Sequence, residues 1–386
     1  MALPDQGTEL RGRSTPGLCR VRGLAPTRLE SRAPIPPHRD GSAPACEALG
    51  ASRDLSAGRL SQRFNTMRST TRSQIPSNLR SEGLWRRAAA VSTMSAARKE
   101  SIRRPSRELY CSAMPDLHAA VGTAIDWPVE HAAAAVITAD GAVATTAGEW
   151  DRPFALASVT KLLAAYAVLV AVETGKVDWS TPAGPSGATV RHLAAHSSGL
   201  SFAEAKVLAK PGTRRIYSNL GFDILGEVVA SGVGRPFAEH LEEAVLAPLG
   251  MRATRLDGSP AASGVSTAAD LARFAAELQR PTLVRPETLA AAVNVAFPGL
   301  NGVLPGFGMQ KPNDWGLGFE IRDGKSPHWT GQSSSPRTFG DFGQTGTFLW
   351  VDPDREAACV ALTDRAFGPW AIRAWPLFTD TILAAL

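Results

Sequence analysis

The sequence predicts an α+β fold: an antiparallel β-sheet flanked by helices, with a helical lobe inserted between the two halves of the sheet. Three observations predict it. Strand pairs joined by short turns stand at both ends of the region that begins near residue 109. The stretch between them, about 185–290, is mostly helical in its periodicity with intervening loops. The turns inside each pair are too short for a parallel crossover, so the pairs are antiparallel hairpins.

In chain order, Leu117–Ile125 reads as a helix. His131–Ala139 and Ala142–Ala147 read as strands joined at Asp140-Gly141, two residues that tolerate positive φ and so favour a tight hairpin. Ser158–Thr174 is a long apolar helix closed by Gly175. Gly221–Ala230 and Ala268–Leu278 are helices of the inserted lobe. Thr347–Val351 and Ala357–Thr363 flank Asp352-Pro353-Asp354 as a second hairpin. A final helix follows Pro369 and is expected to break near Pro376, because an internal proline removes a helical hydrogen bond. No internal repeat is visible.

Charge divides the chain. Residues 1–108 hold 20 Lys and Arg against 9 Asp and Glu, net +11; the remainder hold 21 against 27, net −6. The first segment is rich in Arg, Ser, Pro and Gly and has no sustained period, a composition that cannot offset its ordering entropy by burial. It reads as a disordered basic tail, as a transit-like extension, or as sequence upstream of a start at Met67, Met94 or Met114. The folded domain is expected over 109–386. Any attraction to nucleic acid or an acidic membrane rests on the tail alone, so neither is a favoured partner. The four cysteines, at 19, 46, 111 and 359, are scattered and form no CxxC pair, which points away from a disulfide framework or a metal site and toward a reducing compartment. The longest apolar run, near Leu162–Val172, is too short to span a bilayer, and residues 1–30 have no apolar signal core. Arg86-Arg87 before an Ala-rich run is only a faint export signal, and a cytoplasmic location is expected.

Three short motifs carry chemistry. Ser158-Val159-Thr160-Lys161 puts a hydroxyl and an amine one helical turn apart on one face. Serine attacks only when a base takes its proton, and lysine is a base only when neutral, which burial in this apolar helix favours. A random Ser-x-x-Lys is most often a helix cap with an exposed lysine, but Lys161 alone among seven lysines has a Ser three residues before it. Tyr217-Ser218-Asn219 offers a phenol whose pKa a nearby lysine would lower, and an amide able to bind that lysine; alone it reads as a packed tyrosine with Asn capping a helix. Gly343-Gln344-Thr345-Gly346-Thr347 precedes an apolar strand and supplies a close backbone approach with an N–H for an oxyanion; alone it is a Gly-rich strand entry.

Together and in this order, the motifs resemble those of the serine β-lactamase, penicillin-binding DD-peptidase and esterase superfamily, in its class C β-lactamase-like branch. The likeness extends over Val190–Leu200, over Pro211-Gly212-Thr213 with Leu225-Gly226, and over Pro248–Met251, Ser266–Leu271 and Gly316–Phe319, spanning roughly 115–386. The resemblance implies a β-lactamase/transpeptidase-like fold and an acyl-enzyme on Ser158, with Lys161 as general base and Tyr217 as proton shuttle. It also implies Asn219 orienting Lys161 and substrate, the N–H groups of Ser158 and Thr347 as oxyanion hole, and Gln344, Thr345 and Gly346 against the substrate. The partner is a small ester, amide or β-lactam, with no cofactor. One departure stands out: relatives carry Lys or His where this chain has Gln344, which weakens any case for carboxylate-bearing substrates unless Arg214, Arg215 or Arg337 compensates. A rival reading is a non-catalytic ligand-binding member of the same fold; another is a nucleic-acid-associated protein tethered by its tail. His192 and His196 have zinc-ligand spacing, but Leu193 stands where a zincin needs Glu. No Gly-x-Ser-x-Gly is present, and the nine Trp read as core and pocket walls.

Overall fold

A computed structural model describes residues 116–386; residues 1–115, which include the basic segment 1–108 and three of the four cysteines, lie outside the described residues. The opening elements are α1 (Leu117–Gly122), β1 (Ala132–Thr138), β2 (Val143–Gly148), β3 (Phe154–Ala155) and α2 (Thr160–Glu173). The inserted lobe holds α3 (Val190–Ala194), α4 (Asn219–Val233), α5 (Phe237–Leu241), β4 (Arg255–Leu256), β5 (Gly264–Ser266), α6 (Ala268–Gln279) and α7 (Pro286–Ala292). Then follow β6 (Gly302–Leu304), β7 (Gly308–Gln310), β8 (Glu320–Ile321), β9 (Phe339–Gly343), β10 (Thr347–Asp352), β11 (Ala357–Thr363) and α8 (Pro369–Ala385).

The main sheet has the order β2-β1-β11-β10-β9-β8 and is antiparallel throughout its pairings. Strands from the two ends of the domain meet in its middle, where Ala132 pairs with Thr363 and Thr138 with Ala357. The predicted α+β fold is therefore the observed one. Alternation along each strand splits the core in two. Ala133, Ala135 and Ile137 of β1, with Val360 and Leu362 of β11, pack in the cluster that holds α2, α4 and α6. Ala134 and Val136, with Cys359, Phe348 and Trp350, face the opposite way toward α1 and α8. Both faces are covered, so β10 and β11 are buried along their whole length.

Most predicted elements stand within a few residues of their expected bounds. Gly141 has φ +86° in the first hairpin, and Gly175 has φ +70° just past α2. The break expected at Pro376 does not occur: α8 runs from Pro369 to Ala385. The proline forfeits one hydrogen bond, but Trp375, Phe378 and Ile382 anchor both sides of it in the core, and packing outweighs the local preference. The strand β9 was not foreseen. Its sequence, Phe-Gly-Asp-Phe-Gly, is a poor strand former, yet all five residues are buried between β10 and β8. Among the described residues, no helix is long and apolar enough to cross a membrane.

Candidate active site

Three separate stretches converge at the N-terminus of α2. The first is the turn Ala157–Val159, a single 3-10 turn in which Ser158 sits just ahead of the α-helix rather than within it. Ala157 adopts φ +44°, a left-handed conformation that costs a residue with a side chain on the order of 1 kcal/mol. The cost is met by tight anchoring. Thr347 Oγ1 donates to Leu156 O at 2.8 Å, and Thr345 Oγ1 donates to Ala155 O at 2.6 Å. Gly343 lies so close that a Cβ there would sit 2.2 Å from Leu156 O.

Gly343 thus serves a different purpose from the one expected of it: it lets the β9–β10 hairpin press on the nucleophile turn. Residues 344–346 are not a strand entry but the hairpin turn itself, closed by Gly346 N–H to Gly343 O at 3.0 Å, with Gly346 at φ +83°. The Thr345 and Thr347 hydroxyls donate to backbone carbonyls, and Gln344 lines the adjoining cavity.

The second stretch is α2. Every residue from Thr160 to Leu169 is buried, and Lys161 itself is 0% exposed. Its Nζ lies 3.2 Å from Ser158 Oγ, 2.7 Å from Asn219 Oδ1 and 2.8 Å from Ala261 O. All three neighbours are uncharged. Burial brings the ammonium down to about 8, opposed by the more distant Asp341 and Asp223. The expected neutral-capable lysine is present, and its cause is the expected one.

The third stretch is the start of α4. Ser218, not Asn219, caps the helix: its Oγ accepts from Gly221 N at 3.0 Å. That leaves the Asn219 amide free to bind Lys161. Tyr217 lays its ring 4.6 Å from Lys161 Nζ and is braced by His196, whose ring centroid is 4.4 Å away. His196 Nδ1 accepts from Ser218 N at 3.1 Å, so its proton is on Nε2; burial, then Lys161 and Arg215, push its pKa well below the usual value. His192 instead bonds Thr189 and stacks on Phe297 at 4.5 Å, so the two histidines serve packing separately.

The largest surprise is Asp341. It lies on β9, two residues before Gly343 and on the same face, and only 2% exposed. Its Oδ2 accepts from Tyr217 Oη at 3.2 Å and its Oδ1 accepts from Phe342 N at 2.8 Å. Burial raises its pKa to about 7, against the pull of Lys161. In return the Tyr217 phenol is pushed well above its ordinary value, by burial first and by Asp341 second. The expectation of a lowered tyrosine pKa is therefore overturned: an anion, not a cation, is the phenol's close polar partner. The sequence carried a faint signal, an acid flanked by Gly and Phe just upstream of the third motif, but only the strand pairing reveals where it points.

The three groups open on a cavity of about 340 Å³ lined chiefly by apolar side chains, among them Phe202, Leu304 and Trp315. None of the three candidate arginines lines it. Arg215 is buried and donates to the carbonyls of Asn313, Ala195, Ala296 and Phe297, which makes it a structural tie. Arg337 is exposed and pairs with Asp354 at 2.6 Å. The missing charge at Gln344 is not replaced.

The Beta-lactamase family model matches residues 129–377. The chain belongs to this family. A beta-lactamase from Mycobacterium bovis of known crystal structure is 56% identical, with a TM-score of 0.68, over 69% of this chain and 98% of that one. Simvastatin synthase from Aspergillus terreus shares the fold at 18% identity, with a TM-score of 0.56, over 71% of this chain and 95% of that one. In sequence, a D-alanyl-D-alanine-carboxypeptidase/endopeptidase of Escherichia coli K12 is 29% identical over 147 residues, 28% of this chain and 38% of that protein, so the chain spans well under half the length of this relative. The family match and the 56% identical beta-lactamase support a hydrolase, and the more distant structure shows the fold alone.

Proposed function

We propose that this hydrolase forms an acyl-enzyme on Ser158 and cleaves small esters or amides. The observation that carries the reading is Lys161: fully buried, 3.2 Å from Ser158 Oγ, and ringed by uncharged partners. A lysine so placed can lose its proton near neutral pH and take up the one that Ser158 must lose.

In the first step Ser158 Oγ bonds to the substrate carbonyl carbon while its proton passes to Lys161 Nζ. The negative charge that develops on the carbonyl oxygen is met by the N–H groups of Ser158 and Thr347. Collapse of that intermediate breaks the bond to the alcohol or amine, which leaves with a proton. That proton is the one Lys161 took from Ser158, relayed through the Tyr217 hydroxyl, which stays protonated beside Asp341, so Lys161 is neutral again for the next step. Water then attacks the acyl group, Lys161 takes the water's proton, and the acid departs as Ser158 regains its hydrogen. Asn219 holds Lys161 in place through Oδ1.

The reading is tested with a fluorophosphonate probe and intact-protein mass spectrometry, alongside turnover of p-nitrophenyl butyrate and nitrocefin. The expected result is a single adduct on the wild type, none on Ser158→Ala, and ester turnover that exceeds nitrocefin turnover. Absence of both adduct and turnover would sink the hydrolase reading and leave a ligand-binding member of the fold.

A further inference from the structure

Among the described residues, Asp341 is the only ionisable acid or base of the Asp, Glu, Lys and Arg types lining the cavity; the others there are Ser158, Tyr217, Gln344 and apolar side chains. The wall where a cation would receive a substrate carboxylate is thus neutral at Gln344 and acidic three residues earlier. We propose that Asp341 sets the substrate class of this site, admitting uncharged esters and rejecting those with a carboxylate near the scissile bond. The proposal rests on the acyl-enzyme reading and adds to it the residue that selects.

Geometry makes the effect strong. The backbone of Asp341 is held in β9, opposite Leu349 of β10, and its side chain is tied at both oxygens. One oxygen is held by Tyr217 and the other by the Phe342 amide. The surrounding wall is apolar, with Phe202 stacked along Tyr217 at 6.2 Å between centroids, so the charge is poorly screened. The nearest balancing cation is Lys161, and that balance disappears when Lys161 gives up its proton to become the base. While substrate binds, Lys161 is neutral and Asp341 is left without that balance, so an incoming substrate carboxylate meets an uncompensated charge in the cavity wall. Burial raises Asp341 to about 7, so the rejection is expected to strengthen as pH rises through that region and to fade below it.

The test uses two esters matched in size and differing in one charge, 3-acetoxybenzamide and 3-acetoxybenzoate. Their kcat/KM ratio is measured at pH 6 and pH 9 in wild type, Asp341→Asn and Gln344→Lys, with thermal unfolding to confirm that each variant folds. Both esters need Lys161 deprotonated, so its titration cancels in the ratio. Wild type is expected to favour the amide-bearing ester by about tenfold or more at pH 9, and by clearly less at pH 6. Asp341→Asn should flatten the ratio across pH and lower its pH 9 value by about tenfold. Gln344→Lys, at an exposed hairpin position, should lower the ratio by improving the carboxylate ester. A wild-type ratio near one, a ratio that does not move with pH, or an unchanged ratio in both folded variants would each overturn the proposal. Failure to hydrolyse either ester would instead remove the hydrolase reading on which it stands.

Discussion

Two buried lysines in this protein have opposite surroundings. Lys325 is buried against Glu320 in a direct ion pair, and it also donates to Asp314 O at 2.6 Å and Ile321 O at 2.5 Å. His328 Nε2 lies 3.0 Å from Glu320 Oε2, and Trp329 Nε1 donates to the same oxygen at 3.2 Å. Burial alone would raise Glu320, yet Lys325 and His328 hold it at about 2. Lys161 is as deeply buried but touches no carboxylate; its carboxylate, Asp341, stands off behind Tyr217. The contrast shows what makes a buried lysine reactive. Burial lowers both ammonium groups; at Lys325 a direct carboxylate opposes that shift, whereas at Lys161 the contacting acceptors are all neutral and the opposing carboxylates are more distant.

The comparison can be broken by exchanging roles. Lys161→Met should lower kcat/KM on a neutral ester by about 10³–10⁴-fold with a much smaller loss of folding stability than Lys325→Met, because it breaks no direct ion pair and Asp341 can take up a proton. Steady-state kinetics and thermal melts on one preparation decide this; a melting point that collapses along with activity would place Lys161 among the structural ties. Lys325→Met should do the reverse. It strands Glu320 in the core and should cost about 3–5 kcal/mol by urea unfolding, while the surviving folded fraction keeps its fluorophosphonate labelling. Restoring neutrality with Glu320→Leu in the same chain should return much of that loss.

A gentler probe is pH. The pKa of Lys161 is depressed to about 8, so the base is protonated and idle below that value and free above it. Wild-type kcat/KM on the uncharged ester should therefore rise with pH through about 8 and then level, and a flat profile from 6 to 9 would contradict the assignment. At the other cluster the carboxylate pKa is depressed, so its contribution to stability is present above the ordinary glutamate range and is lost as pH falls toward about 2.

Legibility in the sequence followed the same physics. Elements whose pattern is set by their own residues were readable: the Asp140-Gly141 hairpin, the apolar run of α2, and the paired strands β10 and β11. The proposed site residues were readable because Ser158 and Lys161 are one turn apart at the start of α2, and Tyr217 and Asn219 flank Ser218, which takes the cap and leaves the Asn219 amide free. What escaped was written by partners distant in sequence. Asp341 sits on a strand that exists only because β10 and β8 flank it. The same holds for Pro376, tolerated for the sake of Trp375 and Phe378.

The anchoring of Leu156 to Thr347, with Gly343 pressed against them, has a practical consequence for anyone redesigning this enzyme. The nucleophile and the hairpin behind it form one rigid block with no room for added atoms, so mutant libraries aimed there will yield mostly dead protein. The adaptable wall is the opposite one. Phe202, on the cavity wall, is 53% exposed, so it can change size without disturbing the core. Variation there can reshape the cavity while the turn that carries Ser158 keeps its footing.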